Sequence, residues 1–183
     1  MKSPIQTMSV DTFVPMLRSL SKIFDKALQH AKAKSFDGAV LANARLAPDM
    51  FPLIRQVQIA CDTAKNGTAR LMGREAPKFE DNEQTLEQLK ARIDRTVDYL
   101  EKADRGALQD AEDRQVTIPL PKDLVLEMKG LEYLRDWMLP HFYFHVVTAY
   151  DILRHNGVDI GKFDYLSHAG SAIRKRDELR KAG

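Results

Sequence analysis

Apolar residues recur at helical spacing in four stretches of this chain. They fall three and four residues apart along residues 13–31, 50–71 and 86–100, as on one face of an amphipathic helix. A fourth stretch, residues 131–156, is apolar or aromatic on nearly every side between residues 142 and 153, which is typical of a helix buried by several neighbours. The pattern predicts an all-α fold built as a four-helix bundle.

Prolines and polar residues set the expected ends of these helices. Pro48 is expected to open the second helix, with Asp49 in its positively polarised first turn. Asp81 and Gln84 have the spacing of a capping box before the third helix. Pro140 lies inside the fourth helix and is expected to kink it or divide it in two, because proline lacks the N–H that a helix interior needs.

Residues 114–129 break the helical period. Their apolar positions alternate in twos on either side of residues 121–123, which predicts a short β-hairpin before the last helix. Pro119 confines its strand to an edge, since a proline cannot donate a backbone hydrogen bond to a neighbouring strand. An isolated hairpin is marginally stable in water, so we expect it to lie on the bundle or to pair with another chain.

Length and composition favour one domain followed by a polar tail. The chain of 183 residues is long enough to bury a core without disulfides or structural metals. We expect a single helical-bundle domain over residues 1–166 and, over residues 167–183, a basic tail that is a frayed helix or disordered. The basic residues 174–176 are followed at once by two acidic ones, which favours a solvated tail over a phosphate site.

Charge and cysteine content exclude several classes of protein. A net charge of +2, with charges interspersed along the chain, predicts no nucleic-acid partner and no anionic membrane. No apolar stretch approaches the roughly 20 residues of a membrane-spanning helix, and the N-terminus has no apolar run for a signal peptide. Cys61 is the only cysteine, so no intramolecular disulfide can form and a reducing compartment fits best. We expect a cytoplasmic protein in which Cys61 is a core residue rather than a nucleophile.

His141 and His145 are the leading candidates for chemistry. Four residues apart on a predicted helix, they project from the same face and continue an apolar stripe toward the bundle interior. Two imidazoles so placed can reach one divalent metal. Asp49, Gln56 and Asp62 of the predicted second helix are candidates for a third ligand. Asp49 has a rival role beside the helix dipole, and Asp62 has one as a solvated surface residue.

A structural role for the two histidines competes with the metal site, and spacing alone favours it. The residue after His141 is Phe142 rather than a glutamate, so the pair does not form the metalloprotease motif. Buried histidines can also be satisfied by hydrogen bonds to carboxylates, tyrosines or backbone carbonyls. A metal site therefore needs support beyond the spacing.

Several segments resemble a bacterial family of unknown function. LAPDMFPL at residues 46–53 and QVQIACD at residues 56–62 are similar to the second helix of that family. PHFYFH at residues 140–145, with TAY at 148–150 and LRHNGV at 153–158, is similar to its fourth helix. The likeness extends to about Leu166. That family in turn resembles the DinB/YfiT-like superfamily of proposed metalloenzymes.

The resemblance implies a four-helix bundle that is often dimeric and binds zinc or nickel through three histidines. Some relatives are thiol-dependent transferases or isomerases. His141 and His145 match the H-x-x-x-H of the superfamily's last helix. The third histidine, which is expected on the second helix, is absent, because residues 48–72 contain none. A two-histidine site here would need Asp49, Gln56, Asp62 or water to complete it.

Two functions stay open on these observations. In the first, the protein is a metal-dependent enzyme of the thiol-transferase or hydrolase kind, with His141 and His145 as ligands and a small molecule as substrate. In the second, it is a non-catalytic helical module that acts by dimerisation or partner binding and holds no metal. A homodimer is expected from the resemblance.

Overall fold

The protein is described by a computed structural model over residues 3–174. Its first half contains these helices: α1, Pro4–Met8; α2, Val10–Ala33; α3, Ala39–Asn43; α4, Leu53–Leu71; and α5, Leu86–Glu101. Its second half contains these elements: strands β1, Gln115–Leu120, and β2, Leu124–Lys129; helix α6, Gly130–Glu132; a π turn, Tyr133–Met138; helix α7, Leu139–His155; and helix α8, Lys162–Tyr165. Short 3₁₀ helices lie at Gly106–Leu108 and Ser167–Ala172.

The four long helical segments enclose one hydrophobic core, as the sequence predicts. Helix α2 packs mainly on α5, α4 packs mainly on α7, and α4 also contacts α5. Phe13 of α2 and Phe142 of α7 meet at the centre, with ring centroids 4.7 Å apart in an edge-to-face arrangement. Both rings are fully buried. The predicted all-α bundle with a hairpin before the last helix is confirmed.

The second and third long helices begin later than predicted. Pro48 and Asp49 lie in a turn, and α4 begins only at Leu53, with Pro52 as its N-cap. A helix opened at Pro48 would put Pro52 in its interior, where the proline ring collides with a backbone carbonyl of the preceding turn. Helix α5 is capped by Thr85, whose hydroxyl accepts the backbone N–H of Gln88, rather than by Asp81 and Gln84.

A π turn stands where the sequence predicts a kink at Pro140. The chain is helical without interruption from α6 through α7, but residues of the π turn bond with a wider spacing than in an α-helix. The Leu139 N–H, for example, reaches the carbonyl of Leu134. The wider turn accommodates Pro140, which has no N–H and would collide with a carbonyl of a regular helix. His141, the first histidine of α7, directly follows Pro140.

The hairpin follows the predicted pattern. Strands β1 and β2 are antiparallel, with Val116 opposite Met128 and Leu120 opposite Leu124. Val116 is buried against the bundle, whereas the side chain of Leu124 is exposed. Gly130 joins β2 to the last helix at a point where a Cβ atom would collide with the backbone carbonyl of Ala111, so this junction requires glycine.

The end of the described chain returns to the first long helix. The hydroxyl of Ser19 on α2 lies 2.9 Å from that of Ser167 and 3.2 Å from Nδ1 of His168. Of the tail predicted for residues 167–183, residues 175–183 lie outside the described part of the chain. Among residues 3–174, no helix is long and apolar enough to cross a lipid bilayer.

Candidate functional site

His141 and His145 lie one turn apart on α7, on the side that faces α4. Their ring centroids are 4.8 Å apart with an angle of 63° between the planes. His145 is buried, and His141 is half-buried. Helical spacing brings the rings together, and the π turn before Pro140 sets where α7 begins.

Gln56 of α4 fixes the protonation of His145. The amide group of Gln56 donates from Nε2 to the carbonyl oxygen of Phe51, at 3.0 Å, so its Oε1 faces His145. That oxygen lies 2.7 Å from Nδ1 of His145. Because Oε1 can only accept, Nδ1 of His145 carries the proton and Nε2 keeps its lone pair. Burial, the neighbouring His141 and then Arg55 lower the pKa of His145 to about 4, so the ring is neutral at physiological pH.

His141 has a weaker polar contact with α4. Its Nδ1 lies 3.4 Å from the hydroxyl of Thr63 on α4, and its ring is 5.7 Å from that of Trp137. Burial lowers the pKa of His141 as well, which favours its neutral form. Within residues 3–174, neither Nε2 atom has a hydrogen-bond partner. Both imidazoles thus contact α4 through Nδ1, and the tautomer is fixed at His145 alone, because the hydroxyl of Thr63 can donate as well as accept.

This arrangement fits a divalent metal ion held by two imidazoles. Metal-binding histidines usually donate their other ring N–H to a protein oxygen, as His145 does to Gln56. With Zn–N bonds of about 2.0–2.1 Å and a tetrahedral angle, the centroids of two ligating rings would lie roughly 5 Å apart. The observed 4.8 Å agrees with that separation. In the described part of the chain, no third histidine, cysteine or carboxylate joins them.

The three candidates for a third ligand fall in different places. Asp49 is exposed in the turn before α4, so the structure does not bring it to the histidines. Asp62 lies 3.0 Å from Arg92 and 3.2 Å from Lys65, and these cations occupy its carboxylate. Gln56 alone touches a histidine, and it does so at Nδ1 of His145, where it orients the ring.

A cleft of about 220 Å³ opens beside His141 between α4 and the last helix. Tyr133, Trp137 and His141 form one wall at intervals of four residues, and Thr63, Asn66 and Arg70 of α4 are on the other. No motif or spacing in the sequence marks Asn66 or Arg70 as a site residue. The four-residue spacing of Tyr133, Trp137 and His141 was a signal that could have identified the aromatic wall.

A second group of polar residues lies on the opposite side of α4, against α5. Arg92, whose side chain has no solvent exposure, binds Glu83 at 3.0 Å, Asp81 at 2.9 Å and Asp62 at 3.0 Å. Cys61 is fully buried beside it, and burial raises the pKa of its thiol to about 12. A buried thiol that stays protonated is a poor nucleophile, in agreement with a core role for Cys61.

Comparison with known proteins confirms the predicted resemblance. The family model described as "Domain of unknown function (DUF1993)" matches residues 5–166. A crystal structure of a DinB family member protein from Shewanella denitrificans is 47% identical, with a TM-score of 0.81. That match covers 88% of this chain and 90% of the other. No curated protein matches the chain.

Proposed function

The chain belongs to the domain of unknown function family DUF1993 and has the fold of a DinB family protein, and on that basis we propose that it is a metal-dependent enzyme. His141 and His145 would hold the metal, which is zinc or nickel. The reaction is of the thiol-transferase or hydrolase kind, and a small molecule is the substrate.

The state of the two imidazoles is the observation that carries this proposal. A histidine with a purely structural role can bond both ring nitrogens within the protein or leave one of them to water. Here Gln56 fixes the tautomer of the buried His145, whose Nε2 is left without a protein partner, and the adjacent ring of His141 lines a cleft. A metal-binding histidine is usually held in place by such a hydrogen bond, which it donates from the ring nitrogen that does not bind the metal.

Each residue would have a separate task. His141 and His145 would bind the metal through Nε2, and a bound divalent metal lowers the pKa of a coordinated water or thiol and polarises a substrate oxygen. Gln56 keeps the His145 ring in the productive tautomer through its 2.7 Å contact. Trp137 and Tyr133 form the wall against which a substrate beside His141 would pack.

Metal analysis of protein purified without a polyhistidine tag tests the proposal. We expect about one zinc or nickel ion per chain, and loss of that ion in His141→Ala and His145→Ala. His155→Ala is the matched control, because His155 is exposed at the end of the same helix. Thermal unfolding by circular dichroism shows whether each variant is folded. Substoichiometric metal that His145→Ala leaves unchanged would contradict the enzyme proposal.

An exposed apolar face of α7 supports the homodimer. Phe144 and Val147 are three residues apart, and 58% and 40% of their surfaces are exposed. Neighbouring apolar side chains on a helix surface commonly mark a protein interface. Sedimentation velocity of the native chain should give a dimer that Phe144→Ser shifts toward monomer. If no metal binds and the dimer remains, the second function, a non-catalytic dimerisation or partner-binding module, replaces the first.

We further propose that the protein acts in the cytoplasm of a bacterium. The single buried Cys61 suits a reducing compartment, and the solved relative is a bacterial protein. Fractionation of cells that express the native gene, followed by immunoblotting, tests this placement. Recovery with the periplasmic fraction would contradict it.

A further inference from the structure

Arg70 is a half-buried cation with no carboxylate partner in the described part of the chain. Its one polar contact there is with the hydroxyl of Tyr133, at 3.4 Å. The neighbouring arginine, Arg74, pairs with Asp104 at 2.6 Å. A guanidinium that is partly removed from water normally gains a charged or carbonyl acceptor, because its desolvation is costly. Arg70 instead lines the cleft that contains His141.

Asn66 adds a second free polar group to the same cleft. It lies one helical turn before Arg70 on α4, so the two side chains share a face. Within residues 3–174 its amide group makes no side-chain hydrogen bond. A carboxylate or a phosphate accepts hydrogen bonds from a guanidinium and an amide together.

Asp62, the one acid that lines the cleft among the described residues, does not compete for Arg70. Its carboxylate is held by Arg92 of α5 at 3.0 Å and by Lys65 of α4 at 3.2 Å. Asp62 is therefore already paired with other cations. Arg70 remains as the unbalanced charge of the cleft, so the site favours an anion over a cation.

The wall of the cleft opposite α4 is largely aromatic and extends from Arg70 to His141. Tyr133 lies beside Arg70, Trp137 follows one turn later, and His141 one turn after that. Ile118 of the hairpin also lines the space. Eight residues of helix span roughly 12 Å, so the anion site at Arg70 and the imidazole of His141 lie at opposite ends of the cleft.

We propose that this cleft binds a small organic anion, with its carboxylate or phosphate on Arg70 and Asn66 and its apolar or aromatic body against Trp137. The body of the molecule then extends toward His141. A small organic anion would then be the substrate class of the proposed enzyme. Only the chemistry at His141 rests on the proposed function. Binding of the anion at Arg70 needs no metal.

Trp137 supplies the measurement, because it is the only tryptophan in the chain and lines the cleft. Metal-free protein in the presence of a chelator is titrated with benzoate, with phenyl phosphate and with benzamide, and the tryptophan emission is followed. The chelator prevents any carboxylate from binding through a metal. Benzamide has the same ring as benzoate but no charge, so it measures the contribution of the ring alone.

We expect at least one of the two anions to change the Trp137 emission at concentrations where benzamide does not. The better anion identifies the head group as carboxylate or phosphate. Arg70→Gln should weaken that binding about tenfold or more, since a charge-assisted hydrogen bond is lost. Arg74→Gln removes the same charge from an exposed ion pair four residues further on, beyond the end of α4, and should leave binding within about twofold.

Three results would overturn the anion site. They are no preference of the native protein for either anion over benzamide, equal loss of binding in Arg70→Gln and Arg74→Gln, and unchanged binding in Arg70→Gln. The metal proposal fails independently, through the metal content of His141→Ala and His145→Ala. Anion binding that persists in a protein without a metal site would still support the anion site at Arg70.

Discussion

Helix α4 has polar side chains on two sides, and the two sides differ in how these groups are paired. Toward α5, Gln58, Asp62 and Lys65 join the cluster around Arg92. Toward α7, Gln56 and Arg70 lie beside the histidines and the cleft. Both sides bury polar atoms next to the same apolar core. The difference between them separates groups that hold the fold from groups that are available to a ligand.

On the side facing α5, cations and carboxylates balance. Arg92 binds three carboxylates, Lys65 also binds Asp62, and Arg55 also binds Asp81. The amide of Gln58 donates to Glu83 at 2.8 Å. Nε of Arg92 is the one nitrogen of this guanidinium without a partner. Such a network is costly to break, because one removed partner leaves an uncompensated buried charge.

On the side facing α7, several groups keep a free donor or acceptor. The two imidazoles have no partner at Nε2, and Arg70 has no carboxylate within the described residues. Polar groups that keep a free donor or acceptor and cluster beside one cleft are the groups that a ligand could bind. We therefore expect the side of α4 toward α5 to hold the fold and the side toward α7 to be available to a ligand.

The largest expected effect is on the paired side. Arg92→Met should lower the free energy of unfolding by about 3–5 kcal/mol, because three carboxylates lose their shared cation. Urea denaturation measures the change. Arg95→Met is the matched control on the same helix, where the guanidinium is exposed over the ring of Phe79 at 3.7 Å. A loss below about 1 kcal/mol in Arg92→Met would show that the cluster does not hold the fold.

A smaller effect is expected from two glutamines of α4 that face opposite sides. Gln56→Ala and Gln58→Ala should each cost about 1–3 kcal/mol, since each leaves a buried polar partner unsatisfied. Only Gln56→Ala should weaken zinc binding, by about 10- to 100-fold, because it releases the His145 ring. Calorimetric titration with zinc measures the difference. Equal zinc affinities in the two variants would remove the distinction between the two sides.

A still smaller effect on stability is expected at Arg70. Arg70→Gln should change the free energy of unfolding by no more than about 0.5 kcal/mol, because the guanidinium stabilises no ion pair in the described fold. The urea midpoint provides the measurement. Destabilisation on the scale of Arg92→Met would mean that Arg70 is a structural residue.

The smallest effect is expected at Cys61. A thiol with a pKa of about 12 is a thiolate in only roughly one molecule in ten thousand at about pH 8, and burial excludes reagents as well. Ellman's reagent should therefore leave the native chain unmodified over the time in which it labels the urea-unfolded chain completely. Rapid labelling of the native chain would show that the core around Arg92 opens readily.

The elements of the fold were predictable because they depend on local patterns. Helical spacing located the long helices, and alternation in twos located the hairpin. The predicted start of α4 was wrong by several residues. Either Pro48 or Pro52 could precede the helix, and the choice between them depends on the turn before it. The π turn was not predicted either, because nothing but Pro140 marks it in the sequence.

The candidate site was predictable only in part. Spacing and the resemblance identified His141 and His145, and Gln56 was named among potential partners. Its contact with His145, across 89 positions of sequence, depends on how α4 packs on α7. The same holds for Arg92 and Asp62, which pair between α5 and α4. From the sequence alone, a charged residue that faces solvent looks the same as one that forms an ion pair inside the fold, because its partner lies on another helix.

A crystal structure of the protein grown with zinc, with anomalous differences measured at the zinc edge, tests the central claim most directly. We expect one peak within about 2.0–2.1 Å of Nε2 of both His141 and His145, with Gln56 still bound to Nδ1 of His145. A map with no peak between the two imidazoles, or with zinc bound only at exposed residues elsewhere, would contradict it.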